Sequence, residues 1–189
     1  MMQFKAPLLG LVMAAAMLVA GPALAQTDWA EDFKRLCGDN PSNYDKAIAA
    51  APGRGYAAQG VDETGRFQRF TKGKSPETQL LIDVDFTDRL ARQVGFPGAV
   101  SRTCGLTGFG LDPEGIDVLQ DWVGLSPTDD DKDFPKYLFR IVDGRKVSMI
   151  GESDAVYDEQ LKSGGYWFVG MNVNKDQITA TMTHIKAAP

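Results

Sequence analysis

The sequence predicts an α+β domain: an antiparallel sheet of about four to five strands, short helices packed on one face of it, and one disulfide. Three observations carry this expectation. The C-terminal third contains two hairpin signals in which apolar and polar residues alternate. Several earlier segments show helical apolar spacing bounded by capping residues and glycines. The chain holds only two cysteines, Cys37 and Cys104, behind a segment that reads as an export signal.

Residues 1–25, MMQFKAPLLGLVMAAAMLVAGPALA, read as a cleaved signal peptide. Lys5 supplies the positive start, Pro7 to Ala20 the apolar stretch, Gly21-Pro22 the break, and Ala23-Leu24-Ala25 the small-x-small cleavage pattern. An apolar core of about fourteen residues falls short of the roughly 20 that a bilayer-spanning helix requires. Cleavage leaves one exported domain, residues 26–189, with no membrane insertion expected afterwards. The periplasm is the expected location, with full secretion as the alternative.

Without Lys5 the mature chain carries 19 basic and 25 acidic side chains, a formal net charge of −6. That balance argues against nucleic acid as the main partner, because affinity for a phosphate backbone comes from clustered Lys and Arg. In an oxidising compartment Cys37 and Cys104 are expected to pair. Their spacing is not the CxxC of a redox site, and two cysteines alone are too few for a structural zinc centre, so the bridge reads as structural.

Asp28 and Glu31 have capping-box spacing, and Trp29, Phe33 and Leu36 form an apolar stripe that Gly38 ends. Ser42 and Asp45 repeat the spacing ahead of Tyr44, Ala47, Ile48 and Ala51, and Pro52-Gly53 stops this second helix. Residues 53–78 are rich in glycine and read as the least regular part of the chain; their glycines lack a phosphate-binding pattern. Leu80 to Phe86 reads as a strand with Ile82, Val84 and Phe86 on one face and Asp83 and Asp85 on the other. Asp88 to Val94 reads as a short helix with Leu90 and Val94 turned inward. A short strand is expected around Cys104. Asp112 caps a helix that begins at Pro113, buries Ile116, Leu119, Trp122 and Val123, and ends at Gly124.

Leu138 to Val142 and Arg145 to Ile150 flank Asp143-Gly144, a pair suited to a tight hairpin turn. If Lys175-Asp176 turns the last hairpin, Val173 faces Ile178, Met171 faces Ala180, Val169 faces Met182 and Trp167 faces His184. Gly170, Asn172, Thr179, Thr181 and Thr183 then share the opposite face.

His184 is the sole histidine, and it falls on the apolar register of the last strand. A nucleophile–base pair would require Ser153 or Ser163 to meet it in space, with no GxSxG elbow to support this. A hydrogen-bonded structural histidine is the preferred reading. Asp83 and Asp85, about 7 Å apart on one strand face, are a candidate carboxylate pair or simply a solvated face. Asp129-Asp130-Asp131-Lys132-Asp133 starts like a calcium loop, but Phe134 stands where glycine is expected and Arg140 where the final acid is expected. It reads as an acidic loop, with a weak calcium site as the alternative, and no cofactor is expected. Tyr166 and Phe168, displayed beside the threonine row and Asn172, suit a partner or ligand surface; packing beneath residues 53–78 is the other outcome for them.

The early helix with one Cys near its end, the glycine-rich middle and the closing hairpin resemble small exported alphaproteobacterial proteins with no assigned activity. The resemblance carries over no functional residues. The expected function is therefore a non-enzymatic envelope domain that binds a protein or a small ligand through Tyr166, Phe168 and Asn172, with Asp83 and Asp85 nearby. The alternatives are a small hydrolase using carboxylates or a Ser–His pair, and a structural envelope protein.

Overall fold

The computed structural model describes residues 28–41, 43–73, 78–88, 91–92, 96, 98–128, 131 and 134–189. The expected signal peptide, the Ser42 cap, Leu90, Val94 and all of the acidic run except Asp131 lie outside the described residues. In chain order the helices are α1 (Asp28–Phe33), α2 (Tyr44–Ala50), α3 (Glu114–Val123) and α4 (Asp154–Ser163). A π-helical turn, Lys34–Gly38, extends α1, and a 3-10 turn, Ala51–Arg54, follows α2. The strands are β1 (Ala57–Val61), β2 (Phe67–Lys72), β3 (Thr78–Asp83), β4 (Ala99–Phe109), β5 (Lys136–Val142), β6 (Arg145–Ser148), β7 (Tyr166–Asn174) and β8 (Gln177–Ala187).

These strands form one antiparallel sheet of eight, in the order β1-β2-β3-β4-β8-β7-β5-β6. The sheet is thus wider than the four or five strands expected. The additions are β1 and β2, which arise from the glycine-rich stretch, and β4, which runs for eleven residues rather than a short span around Cys104. The glycines punctuate the strands instead of dissolving them. Gly55, Gly65 and Gly73 lie at element ends and Gly60 at a bulge in β1, all with φ between 72° and 92°.

Both predicted hairpins form. Asp143 and Gly144 adopt φ of 49° and 75° between β5 and β6, the left-handed pair that a tight turn requires. Lys175-Asp176 turns β7 into β8 in the expected register, with Val173 opposite Ile178, Met171 opposite Ala180, Val169 opposite Met182 and Trp167 opposite His184. β8 then docks along the whole of β4, so the closing hairpin occupies the centre of the sheet.

α1, α2 and α3 cover one face. Trp29, Phe33, Leu36, Tyr44, Ile116 and Leu119 pack onto Leu80, Ile82, Leu106, Val169, Met171 and Met182. Gly115 lets α3 approach α1, because a Cβ there would lie 2.4 Å from the Trp29 ring. The Trp29 indole donates to the Asp112 carbonyl at 3.0 Å, and the Glu114 N–H donates to the Asp112 carboxylate, also at 3.0 Å, as the predicted cap requires. Buried Asp32 of α1 accepts from Arg54 and, at 2.7 Å, from Lys72 of β2. The Cys37–Cys104 disulfide, with Cα atoms 5.5 Å apart, joins the turn after α1 to β4.

The helices do not all share that face. α4 presents Val156, Tyr157 and Leu161 to a second cluster made of Tyr166, Ile185, Ala99 and Met149, on the far side of the sheet. Ala91 and Phe96, which precede β4 in the chain, belong to the same cluster. No helix among the described residues is long and apolar enough to cross a membrane.

Candidate functional site

On the face away from α1–α3, cross-strand pairing arranges side chains in rows. Thr103 of β4 faces Thr183 of β8, which faces Phe168 of β7, which faces Leu138 of β5. The adjacent row runs Arg69, Leu81, Gly105, Thr181, Gly170, Lys136. Thr181 therefore stands between two glycines, and the sheet is depressed on either side of it. The Phe168 ring leans over Gly170, where a Cβ would come within 3.1 Å of it.

The depression is walled by larger residues to form a cavity of about 470 Å³. Thr103, Thr181 and Thr183 make its floor; Phe168, Leu138 and Ile185 stand on one side; Phe67 of β2 and Phe96 complete the wall, with Arg66 at the rim. The surface is mostly carbon. Thr181 donates to the Gly170 carbonyl at 3.3 Å, and the Thr103 and Thr183 hydroxyls bond to each other at 3.0 Å. Two hydroxyl hydrogens serve one bond in that pair, which leaves one hydroxyl hydrogen for an acceptor in the cavity.

Arg66 is positioned by Asp83. Its Nε and Nη2 donate to the two carboxylate oxygens at 2.7 and 3.3 Å, and its guanidinium lies 4.6 Å from the centroid of the Phe67 ring. Asp83 also accepts the Thr103 N–H at 2.7 Å, while its own carbonyl accepts Arg102 Nε at 2.7 Å. The carboxylate is 0% exposed and fully engaged. Arg66 is bound through one edge, so its remaining N–H groups are directed away from the ion pair.

The residues expected to form the site separate. Phe168 lines the cavity, and Asp83 holds its rim. Asp85 does not join Asp83: β3 ends at Asp83, the chain bends at Val84 and Asp85, and Asp85 is exposed beside Thr64, Gly65 and Thr87. The proposed carboxylate pair on one strand face is therefore corrected, since one member is neutralised by Arg66 and the other lies in a bend. Asn172 is exposed opposite Thr179, outside the cavity lining. Tyr166 occupies the expected face but is 0% exposed, contrary to its expected display. α4 and Phe96 cover that end of the sheet, with ring centroids of Phe96 and Tyr157 at 5.3 and 5.8 Å from that of Tyr166, and burial pushes its phenol pKa well up. Arg66, Phe67 and Phe96 were not expected. Alternation of Phe67, Arg69 and Thr71 against Gln68, Phe70 and Lys72, between Gly65 and Gly73, was the available signal for the first two.

His184 lies on the opposite face, stacked on Trp167 with centroids 4.6 Å apart and meeting the edge of Phe86 at 5.6 Å. Its Nε2–H donates to the Gly164 carbonyl at 2.8 Å, which leaves the buried Nδ1 lone pair without a partner. Ser163 instead donates to Gln160, and no hydrogen bond joins His184 to Ser153. Burial lowers the His184 pKa below its usual value, partly opposed by the Gly164 bond. The unfolded chain then binds a proton that the folded chain resists. Stability should be complete above about pH 6.5 and fall as the pH drops through the folded pKa, by at most about 1.4 kcal/mol per unit. Melting temperatures between pH 7.5 and 5.5 check this; His184→Gln should lack the slope.

Among the described residues no group of three or more His, Cys, Asp or Glu side chains is arranged to hold a metal ion. Asp131 is the one residue of the acidic run that is described, and its carboxylate accepts the Phe134 N–H at 3.2 Å.

No protein-family model, curated protein or solved structure matches the chain. The functional reading rests on the geometry of the site.

Proposed function

We propose that the chain is an exported binding domain that takes a small, predominantly apolar ligand into the cavity over Thr181. The observation that carries this reading is a mostly carbon-lined hollow of about 470 Å³ on a rigid sheet, with Arg66 at its rim and a few threonine hydroxyls in its floor. Cavities of roughly 300–1,000 Å³ with apolar walls and a few placed donors suit small molecules. Arg66 and the Thr103–Thr183 hydroxyls would orient an acceptor on the ligand, while Phe67, Phe96 and Phe168 cover its apolar body. The position of His184 on the other face favours binding over a Ser–His hydrolase. The apparent export signal and the disulfide support the periplasm or cell exterior as its place of work.

Thr181→Phe tests the reading. Thr181 rises from the floor between two glycines, so a phenyl group there fills the hollow without requiring backbone movement. N-Phenyl-1-naphthylamine fluorescence should rise saturably with the parent protein, and Thr181→Phe should weaken that binding by at least about tenfold. Equal binding by the two proteins, at matched melting temperature, would remove the cavity from the account.

A further inference from the structure

Arg66 is the one charged residue among the described residues that line the hollow over Thr181. From Arg89 to Pro97, the stretch that holds Phe96, the sequence carries no acid. The adjoining row of the sheet ends in two cations, Arg69 and Lys136, and holds no acid either. Asp85 lines a separate hollow that Arg66 also borders, and no ion pair joins the two. The acid that meets Arg66 is Asp83, which is fully buried. It takes the Nε–Nη2 edge of the guanidinium, with bonds of 2.7 and 3.3 Å. The Nη1–Nη2 edge meets no acceptor among the described residues, although the side chain is only 16% exposed. That edge offers two parallel N–H groups, the fork that fits the two oxygens of a carboxylate. Asp83 holds the fork in place before a ligand arrives, so little side-chain freedom is lost on binding. Thr103 donates its N–H to the same Asp83, which brings the Thr103–Thr183 hydroxyl pair next to that rim.

Resting on the apolar-cavity reading of this hollow, we infer that its ligand is a free single-chain fatty acid. The carboxylate sits on the Nη1–Nη2 edge of Arg66 and the tail lies between Phe67, Phe96 and Phe168. Volume and charge select this class. A space of about 470 Å³ lies toward the small end of ligand sites, which suits one hydrocarbon chain and not the two of a membrane lipid. A phosphate head would bring a third oxygen and a second charge to a rim whose cation is already shared with Asp83. An alcohol cannot fill both prongs of the fork. Because Asp83 offsets much of the Arg66 charge, the fork selects the head group while the hydrocarbon walls supply most of the affinity.

The test is displacement of N-phenyl-1-naphthylamine from the mature, oxidised protein by decanoate, decanol and decyl phosphate, at about pH 7.5 where the carboxylate is ionised. Decanoate should displace the probe saturably. Arg66→Met with Asp83→Leu should weaken decanoate by about tenfold and change decanol by less than about twofold. Arg66→Lys keeps a cation beside Asp83 but presents no fork, so it should also weaken decanoate selectively. Circular dichroism melts check that each variant is folded. If the variants shift decanoate and decanol alike, the head-group assignment is overturned and the apolar cavity stands. Decyl phosphate bound more tightly than decanoate would overturn it in favour of a phosphate head. A probe that binds but is not displaced by decanoate overturns it as well, whereas a probe that never binds removes the cavity reading and this ligand with it.

Discussion

Replacing both Cys37 and Cys104 with alanine should lower the unfolding free energy by about 4 kcal/mol. The bridge closes a loop of sequence separation 67, and in the chain-entropy account its main action is to restrict the unfolded chain. Its position adds a structural consequence. Cys37 lies within the π-helical turn after α1, and Cys104 sits mid-way along β4, in the middle of the sheet. Both are 0% exposed within the main core, so two small cavities also form when the sulfurs are removed. Guanidinium unfolding followed by tryptophan fluorescence measures the change, because Trp29, Trp122 and Trp167 all lie in or against that core. A change below about 1 kcal/mol would mean that packing alone docks α1 and α2, and that the unfolded chain is already compact.

The second large effect is expected at Asp83. Asp83→Ala leaves the Arg66 guanidinium and the Thr103 N–H without their acceptor, and breaking a buried pair from one side typically costs about 3–5 kcal/mol. Arg66 keeps 16% side-chain exposure and can recover some hydration, which places the expected loss near the lower end of that range. Replacing both partners, as Arg66→Met with Asp83→Leu, should restore the part of the loss that comes from the unpaired guanidinium, while the Thr103 N–H still lacks its acceptor. The two variants separate stability from function. Asp83→Ala should lose ordered packing at the cavity rim, whereas the double variant should remain folded and still bind an apolar probe. Urea midpoints and probe titrations on the same preparations check both points. A double variant less stable than Asp83→Ala would contradict the assignment of the cost to an unpaired charge.

What could be read from the sequence depended on how local the signal was. The β5–β6 and β7–β8 hairpins were legible because Asp143-Gly144 and Lys175-Asp176 are turns flanked by period-two patterns, and each register follows from its turn. The α3 helix was legible because its cap, proline, apolar stripe and terminal glycine agree. β1 was hidden because all five of its residues are exposed, so no alternation marks a buried side. β4 was hidden by Gly105 and Gly108, which weaken a strand pattern but here face Thr181 and the Leu111 side chain across close contacts. α4 buries no residue fully and packs only a partial apolar stripe, so its place on the second face had no sequence mark.

The site followed the same logic. Alternation assigned Phe168 to the right face, and it assigned Tyr166 there too. It could not distinguish the open end of that face from the end roofed by α4 and Phe96. Asp83 was singled out correctly as a rigid strand-borne carboxylate, but its partner Arg66 comes from a hairpin that the glycines obscured. A face is a local property; a cavity requires elements that are distant in sequence.

The hollow over Thr181 is proposed to receive an apolar ligand. Methyl-resolved NMR spectra of the mature protein, titrated with N-phenyl-1-naphthylamine, test it most directly. The account predicts saturable shifts at Thr103, Leu138, Thr181, Thr183 and Ile185, with Leu80, Ile82 and Leu106 on the helical side unmoved. Shifts confined to another surface, or none at saturating probe, would contradict it.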